Sequence, residues 1–352
     1  MLLSILLALT LWQSQGVPEA GALQPLELSA EMKLFLDEKV DRGLPAMLRL
    51  EALVEAVFRD RALGFTYAPA TRTPVETFTA RSGNCLSFTL LFIAMCRYLD
   101  LDARFREVEI APLWTRNGNF ISLNKHVNAA VLIGSVGYAI DVFPGVERIE
   151  IGGQVVSDER GMAHFYNNKG VEELGSGNIE AAEANLRTAL EMDATAVSPW
   201  INLGAARAHQ GDYASAERYY RRALGLNPRD HAAMSNLAIV MEKTHRPREA
   251  ARLQAKVREF QDKNPYYHFN LGIQAYGEGQ YQLAIDRYRK ALKLKPREHN
   301  FHFALARAYA GLNRLDQVVK NLQLAVRYAP DPGSKDRYHQ KLELLSAEPG
   351  TG

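Results

Sequence analysis

The spacing of apolar residues changes along the first half of the chain, and each change predicts a different element. Between Leu28 and about Leu63 apolar residues recur every three or four positions with charges between them, as on one face of amphipathic helices. From Cys85 to Tyr98 they occupy nearly every position, which is typical of a helix enclosed by other elements. The stretch Ala68–Pro74 between them contains two prolines and predicts a loop.

Strand-like segments follow the enclosed helix. The first is Ala103–Ile110 and the second is Val127–Ile133. A third, Tyr138–Phe143, is joined to the second by Gly134–Gly137, which suits a tight antiparallel hairpin. Helices followed by antiparallel strands predict an α+β core.

Beyond about Gly161 the pattern changes again, and mostly small residues recur with a period of 34. Three series share this period: Gly170, Gly204, Ala238, Gly272 and Ala306; Ala182, Ala216, Ala250, Ala284 and Val318; Ala189, Ala223, Val257, Ala291 and Ala325. Small residues at fixed phases allow helices to pack closely, so the pattern predicts an all-α solenoid of five repeats.

An apolar run, Leu2–Trp12, opens the chain and is followed by polar and then small residues, including Ala20-Gly21-Ala22. The run is too short to span a bilayer, and its pattern predicts a secretory signal peptide. No lysine or arginine precedes it, so a buried N-terminal helix is the alternative. We therefore expect an exported protein, periplasmic or secreted, and a cytoplasmic one if the run is not a signal.

Composition narrows the classes of partner. The formal charge of +2 is nearly balanced and basic residues are interspersed with acidic ones, so we expect no nucleic-acid partner. We also expect no integral membrane span once the signal is removed. Cysteine and histidine spacings do not resemble a zinc site, and no phosphate-binding glycine loop occurs, so we expect no cofactor and no metal.

A cysteine, a histidine and an aspartate follow one another along the chain in an order that suits a cysteine nucleophile, its base and an orienting carboxylate. Cys85 lies at the predicted start of the enclosed helix, where a helix terminus favours the reactive thiolate. His126 precedes the second strand and Asp141 lies on its hairpin partner, so the two are expected side by side, as an imidazole held by a carboxylate. The alternative for Cys85 is a small buried apolar residue, the role that we predict for Cys96.

These residues resemble the transglutaminase-like superfamily, a branch of the papain-like cysteine enzymes. The resemblance covers about Leu48 to Pro144, and its motifs are Arg81-Ser82-Gly83-Asn84-Cys85, His126-Val127-Asn128-Ala129-Ala130-Val131 and Tyr138-Ala139-Ile140-Asp141. It implies that Cys85 is the nucleophile, His126 the general base and then acid, and Asp141 the orienting carboxylate.

The periodic region resembles the tetratricopeptide repeat family, as in Trp200-Ile201-Asn202-Leu203-Gly204 and Gly279-Gln280-Tyr281. The resemblance implies a concave groove that binds an extended protein or peptide partner through residues of the first helix of each repeat. On the register of the repeats these groove residues are Ile201, Ile239, Tyr266, Phe269, Ile273, Tyr276 and Phe303. The alternative is that some of them pack between repeats.

The predicted architecture is therefore α+β, a transglutaminase-like Cys-His-Asp core, followed by an all-α tetratricopeptide repeat solenoid. We place the signal peptide at residues 1–22, the core with its helical shoulder at 23–160, five repeats at 163–332, and a capping helix and tail at 333–352.

The predicted function is cysteine-dependent acyl transfer on peptide or protein amides, by hydrolysis or by aminolysis. The same combination resembles a bacterial group in which the cysteine is often absent. The alternative is therefore a non-catalytic repeat adaptor with a degenerate core.

Overall fold

The computed structural model describes residues 7–9, 26–59, 63–110, 114–117, 120–123, 126–140 and 150–347. The chain divides into two compact units. The first contains residues 1–110 and 125–244, and the second contains residues 111–124 and 245–352.

Short strands and helices make up the described chain as far as Tyr98. They are β1 (Leu7–Leu9), α1 (Ala30–Lys39), α2 (Ala46–Val54) with a π-helical turn at Glu55–Arg59, β2 (Thr66–Tyr67), α3 (Pro74–Ala80), β3 (Ser82–Gly83) and α4 (Cys85–Tyr98). Strands come next: β4 (Asp102–Ile110), β5 (Trp114–Asn117), β6 (Phe120–Leu123), β7 (His126–Ile133), β8 (Val136–Ile140) and β9 (Glu150–Val156).

The rest of the described chain is helical. Its helices are α5 (Asp158–Gly175), α6 (Ile179–Met192), α7 (Val197–His209), α8 (Tyr213–Leu226), α9 (His231–Lys243), α10 (Pro247–Lys263), α11 (Pro265–Gly277), α12 (Tyr281–Leu294), α13 (His299–Ala310), α14 (Leu315–Tyr328) and α15 (Pro332–Ala347). In the described residues, no helix combines the length and the apolar character needed to cross a membrane.

Helix α4 is the centre of the core in the first unit, as its continuous apolar sequence predicts. Its side chains from Leu86 to Cys96 are all buried. Helices α1 and α2 cover it with fully buried residues such as Leu36 and Leu53. Burial of an aliphatic side chain stabilises a fold by about 1.5–3 kcal/mol, so this cluster is the main source of stability for the core.

A five-stranded sheet in the order β1-β8-β7-β4-β9 packs against α4, and each pair of neighbours is antiparallel. The predicted hairpin is present as β7–β8, and Gly134 in its turn has a φ of 62°, a conformation that glycine adopts without strain. The α+β core is thereby confirmed. Strand β9 and the hairpin β5–β6 were not predicted; β5–β6 belongs to the second unit.

The apolar run at the N-terminus is described only at Leu7–Leu9, which pairs with β8 so that Ala8 lies opposite Tyr138. These residues are extended, and the alternative of a helix does not hold for them. Cleavage of a signal peptide and export stay predictions.

Helix α5 connects the sheet to the repeats within the first unit. Gly161 lies against the fully buried ring of Phe105, and an added Cβ there would overlap the ring. At the start of the helix, the Asp158 carboxylate accepts two hydrogen bonds from the guanidinium of Arg97, at 2.6 and 2.7 Å. The first helix of the repeats is therefore fixed to the core.

The small residues of the period-34 series lie where paired helices approach closely. An added Cβ at Gly204 would lie 2.6 Å from the ring of Tyr220, and one at Gly272 would overlap the ring of Tyr288 in the same way. At the end of the second unit, α15 buries Tyr338 completely against the last repeat. The predicted solenoid is confirmed, while the capping role of α15 stays a prediction.

Candidate active site

Cys85 is the first residue of α4 and is partly exposed. Asn84 caps the helix, and its Oδ1 accepts a hydrogen bond from the amide of Ser87 at 3.0 Å. Cys96, one of the core residues of the same helix, is fully buried, and burial raises the pKa of its thiol. The core role predicted for Cys96 is confirmed, and the two cysteines therefore differ in access to solvent.

The loop before α3 holds the start of α4 in place. Strands β2 and β3 pair in parallel, and the amide of Ala68 donates to the carbonyl of Gly83 at 2.9 Å. The side-chain amide of Asn84 donates to Thr71 Oγ1 at 2.7 Å. An added Cβ at Gly83 would lie 2.6 Å from the Cβ of Ser87. Glycine is needed here for this close approach.

Thr89 links the start of α4 to the start of β7. Its hydroxyl oxygen lies 2.9 Å from the carbonyl oxygen of Cys85 and 3.1 Å from that of Val127, and only 1% of the residue is exposed. The two carbonyl oxygens are therefore no more than 6.0 Å apart. Since Val127 follows His126, the backbone of the predicted nucleophile lies beside the strand that begins with the predicted base.

His126 is 5% exposed and is the first residue of β7, opposite Val108 of β4. Asn128 is two residues further along the strand and therefore shares its face with His126. Its Oδ1 lies 3.5 Å from a guanidinium nitrogen of Arg106, which is itself buried. Sequence reasoning missed Arg106, because a basic residue in a half-buried strand usually points to solvent.

Asp141, the predicted orienting carboxylate, lies outside the described residues. The last described pair of the β7–β8 ladder is Ala129 with Ile140, directly before it in the sequence. The predicted roles of Cys85, His126 and Asp141 stay predictions. Among the described residues there is no group of three or more His, Cys, Asp or Glu side chains that would hold a metal ion.

The predicted groove residues fall into two sets. Three of them, Ile201, Tyr266 and Phe269, are buried, and Phe269 of α11 stacks on Phe301 of α13 with ring centroids 4.6 Å apart. Burial is what the alternative of packing between repeats predicts, and the groove-lining role of these three residues stays a prediction.

The other four predicted groove residues keep some exposure. Ile239 is half-buried in the first unit. In the second unit Phe303 packs on Tyr338 of α15, with ring centroids 4.9 Å apart, while Ile273 is 40% exposed and Tyr276 half-buried on α11. The guanidinium of Arg307 lies 4.9 Å from the centre of the Tyr276 ring.

The fold and the site thus define an α+β domain with a cysteine at the start of its central helix, joined to a helical repeat solenoid. The family models agree with this architecture. Residues 39–140 match the transglutaminase-like superfamily. Residues 167–231, 208–271 and 275–345 match tetratricopeptide repeats. The chain therefore contains a transglutaminase-like domain at residues 39–140, followed by tetratricopeptide repeats within residues 167–345.

Individual proteins are similar to the chain at low identity. Protein O-mannosyl-transferase TMTC3 of Homo sapiens is 29% identical over 216 residues, which cover 59% of this chain and 23% of that protein. The chain therefore spans less than a quarter of the length of this relative.

Among solved structures, that of YrrB, described as a TPR protein with an unusual peptide-binding site, is 19% identical. The match covers 51% of this chain and 92% of YrrB, with a TM-score of 0.27. MamA from Desulfovibrio magneticus RS-1 is 21% identical over 55% of this chain and 99% of its own, with a TM-score of 0.28.

Proposed function

We propose that this protein carries out cysteine-dependent acyl transfer on amides of peptides or proteins. The observation that supports the proposal is the position of Cys85, partly exposed at the start of a capped helix that Thr89 links to the strand of His126. A helix N-terminus stabilises negative charge and so favours the thiolate, which is the nucleophilic form of cysteine.

In the proposed reaction Cys85 Sγ attacks the amide carbonyl carbon, and His126 takes the thiol proton. His126 then returns this proton to the amine as the C–N bond breaks, which leaves a thioester on Cys85. Water or a second amine attacks the thioester, loses its proton to His126, and the thiol re-forms. Asp141 is the proposed carboxylate that orients the imidazole. The amide of Cys85, in the first helical turn, is the proposed donor to the oxyanion.

Alkylation by iodoacetamide tests the proposal in the full chain, with the labelled peptides identified by mass spectrometry. We expect Cys85 to react faster than an ordinary exposed thiol at pH 6–7, and we expect His126→Ala to slow it by about 100-fold, the lower end of the range of general-base effects. Cys96 serves as the internal control, because it should label only after denaturation.

A Cys85 that labels at an ordinary rate, unchanged in His126→Ala, would refute the enzyme and favour the adaptor. If the thiol is activated, product analysis with a glutamine-containing peptide, with and without an added primary amine, separates hydrolysis from aminolysis.

We further propose that the repeats bind a protein or peptide, the ligand class that tetratricopeptide repeats typically bind. In the second unit the predicted groove residues of α11 that keep exposure are Ile273 and Tyr276, and the Arg307 guanidinium lies over the Tyr276 ring. Ile273→Glu with Tyr276→Glu should abolish capture of a partner, whereas Cys85→Ala should retain it. Leu315→Glu, at an exposed site on α14, is the matched control. If capture of the partner were instead lost in Cys85→Ala and kept in the Ile273 and Tyr276 variant, the partner would not bind through the groove.

Export is also proposed, on the apolar run Leu2–Trp12 and the small residues after it. Sequencing of the mature N-terminus tests this, since a chain that begins at Met1 has not been cleaved.

A further inference from the structure

The first repeat helix, α5, contacts the loop that supports the start of the cysteine helix. The Glu172 carboxylate accepts a hydrogen bond from the backbone amide of Thr71, with Oε1 and N 2.6 Å apart. Thr71 Oγ1 in turn accepts from the side-chain amide of Asn84 at 2.7 Å, and Asn84 Oδ1 accepts from the Ser87 amide at 3.0 Å. Three hydrogen bonds therefore connect a repeat residue to the cap of the helix that begins at Cys85.

Thr71 needs such a partner. The residue is completely buried, and it lies in a stretch between β2 and α3 without a regular backbone ladder of its own. A buried backbone amide without an acceptor is costly, and a carboxylate is a stronger acceptor than a neutral oxygen. Glu172 thus determines where the backbone of the loop lies around Thr71.

The position of Thr71 sets the orientation of the Asn84 side chain. The Asn84 amide group donates to Thr71 Oγ1 and to the carbonyl of Pro69, the latter at 3.2 Å, so its oxygen faces the first turn of α4. An Asn84 amide turned the other way would present donors to the Ser87 amide and lose the cap.

Helix α5 is well placed to hold Glu172 still. Near the other end of α5, Arg97 binds Asp158, and the guanidinium of Arg160 donates to Glu107 of β4 at 2.6 Å. Asp158 and Glu172 are 14 residues apart, about 21 Å along a helix. Attachment near both ends keeps the face of α5 in one position on the core.

We infer that Glu172, a residue of the repeat region, is a positioning residue for the Cys85 nucleophile. It acts through Thr71 and Asn84, and the inference rests on the proposed function of Cys85. The first repeat helix is then part of the catalytic domain, in addition to being the first helix of the solenoid.

The test compares two variants of the full chain with a neighbouring control. Glu172→Gln keeps an oxygen that can accept from the Thr71 amide, whereas Glu172→Leu does not. Glu173→Leu is the control, because Glu173 accepts from Asn178 of the following turn. Iodoacetamide alkylation of Cys85 is measured from pH 5 to 9, together with amide hydrogen exchange of the peptides that contain Thr71 and Ser87.

We expect Glu172→Leu to slow Cys85 alkylation about tenfold near pH 7, the effect of one lost hydrogen bond to a charged group, and to raise its pH midpoint. Exchange at Thr71 and Ser87 should become faster, while Cys96 stays unlabelled. Glu172→Gln and Glu173→Leu should resemble the unchanged protein. Exposure of Cys96 in Glu172→Leu would instead indicate general unfolding and overturn the positioning role.

Two further outcomes would overturn the inference. One is unchanged exchange in Glu172→Leu, and the other is faster exchange with unchanged Cys85 alkylation. An ordinary thiol rate in the unchanged protein is a different failure, since it refutes the proposed function; the exchange data then decide separately whether Glu172 holds the loop.

Discussion

Thr89 is the residue that joins the two halves of the candidate site, because its single hydroxyl lies within hydrogen-bond distance of carbonyls on α4 and on β7. Thr89→Val removes the hydroxyl and nearly keeps the volume. We expect it to lower the free energy of unfolding by about 1–2 kcal/mol, the usual cost of a lost buried hydrogen bond. Cys85 alkylation should slow in the same variant, because β7 is no longer fixed to the start of α4.

Thr89→Ser is the matched control for this prediction, since it keeps the hydroxyl and loses only a methyl group. Urea unfolding and iodoacetamide kinetics provide the two readouts. If Thr89→Val and Thr89→Ser label Cys85 equally fast, the hydroxyl does not position the site.

Sequence reasoning selected Cys85 and His126 by their order along the chain but did not find the residues that hold them. Thr89 is a threonine inside an apolar helix, and its partner Val127 lies 38 positions away. Glu172 is 101 positions from Thr71. Such contacts leave no periodic signal, because they depend on how whole elements pack.

Among the elements, glycine and tyrosine form a coupled pair in two of the repeats. Gly272 lies against Tyr288 just as Gly204 lies against Tyr220, whereas Ala306 and Leu322 occupy the equivalent positions in the last repeat. Gly272→Ala should therefore lower the free energy of unfolding by about 1–3 kcal/mol through overpacking. Adding Tyr288→Leu should recover part of this loss by making room for the methyl group.

Thermal unfolding of the two single variants and the double variant measures this coupling directly. If the effects of Gly272→Ala and Tyr288→Leu on the free energy of unfolding were additive, the two residues would not be coupled. Residues in contact usually depart from additivity by about 0.5 kcal/mol or more. Gly277→Ala, on the same helix but with open space around the added Cβ, controls for the helix propensity of alanine.

The predictability of the elements depended on their periodicity. Repeat helices were found because small residues recur at one phase, and α4 because it is continuously apolar. Strand β9 was missed because it contains Gly152 and Gly153, which weaken a strand pattern. The structure explains the second glycine: an added Cβ would lie 2.6 Å from the guanidinium carbon of Arg106.

For the molecule as a whole, the division into compact units does not follow the division into domains. The first unit contains the core and the repeats up to Thr244. The predicted boundary near residues 160–163 is crossed by the ion pair of Arg160 with Asp193 and by the hydrogen bond from the Thr71 amide to Glu172. In sequence, the charges of Asp158 and Arg160 look like an ordinary solvated surface. The units divide instead at the turn of the third repeat, where His245 has a φ of 59°.

The second unit contains a buried histidine, His268, and a half-buried one, His299, that should make its stability depend on pH. Burial lowers the pKa of His268 and of His299 below the ordinary value of 6.5. Nearby carboxylates raise the pKa of both rings, but the effect of burial is larger. Both rings are hydrogen-bonded, His268 to the carbonyl of Asp262 and His299 to the hydroxyl of Tyr338. As the pH falls below about 6.5, these two histidines bind protons in the unfolded chain before they do so in the folded protein. Their contribution to the free energy of unfolding is therefore constant above this pH and decreases as the pH falls through it.

Urea unfolding at pH 8, 7, 6 and 5, followed by hydrogen exchange of peptides from α11 and α13, tests this dependence. The unchanged protein should lose stability in the second unit between pH 7 and 5, and His268→Gln with His299→Gln should lose less over the same interval. Carboxylates with a lowered pKa, such as Asp331, lose their contribution only at lower pH and so do not obscure the comparison. Equal losses in the two proteins would mean that these histidines do not control the stability of the unit.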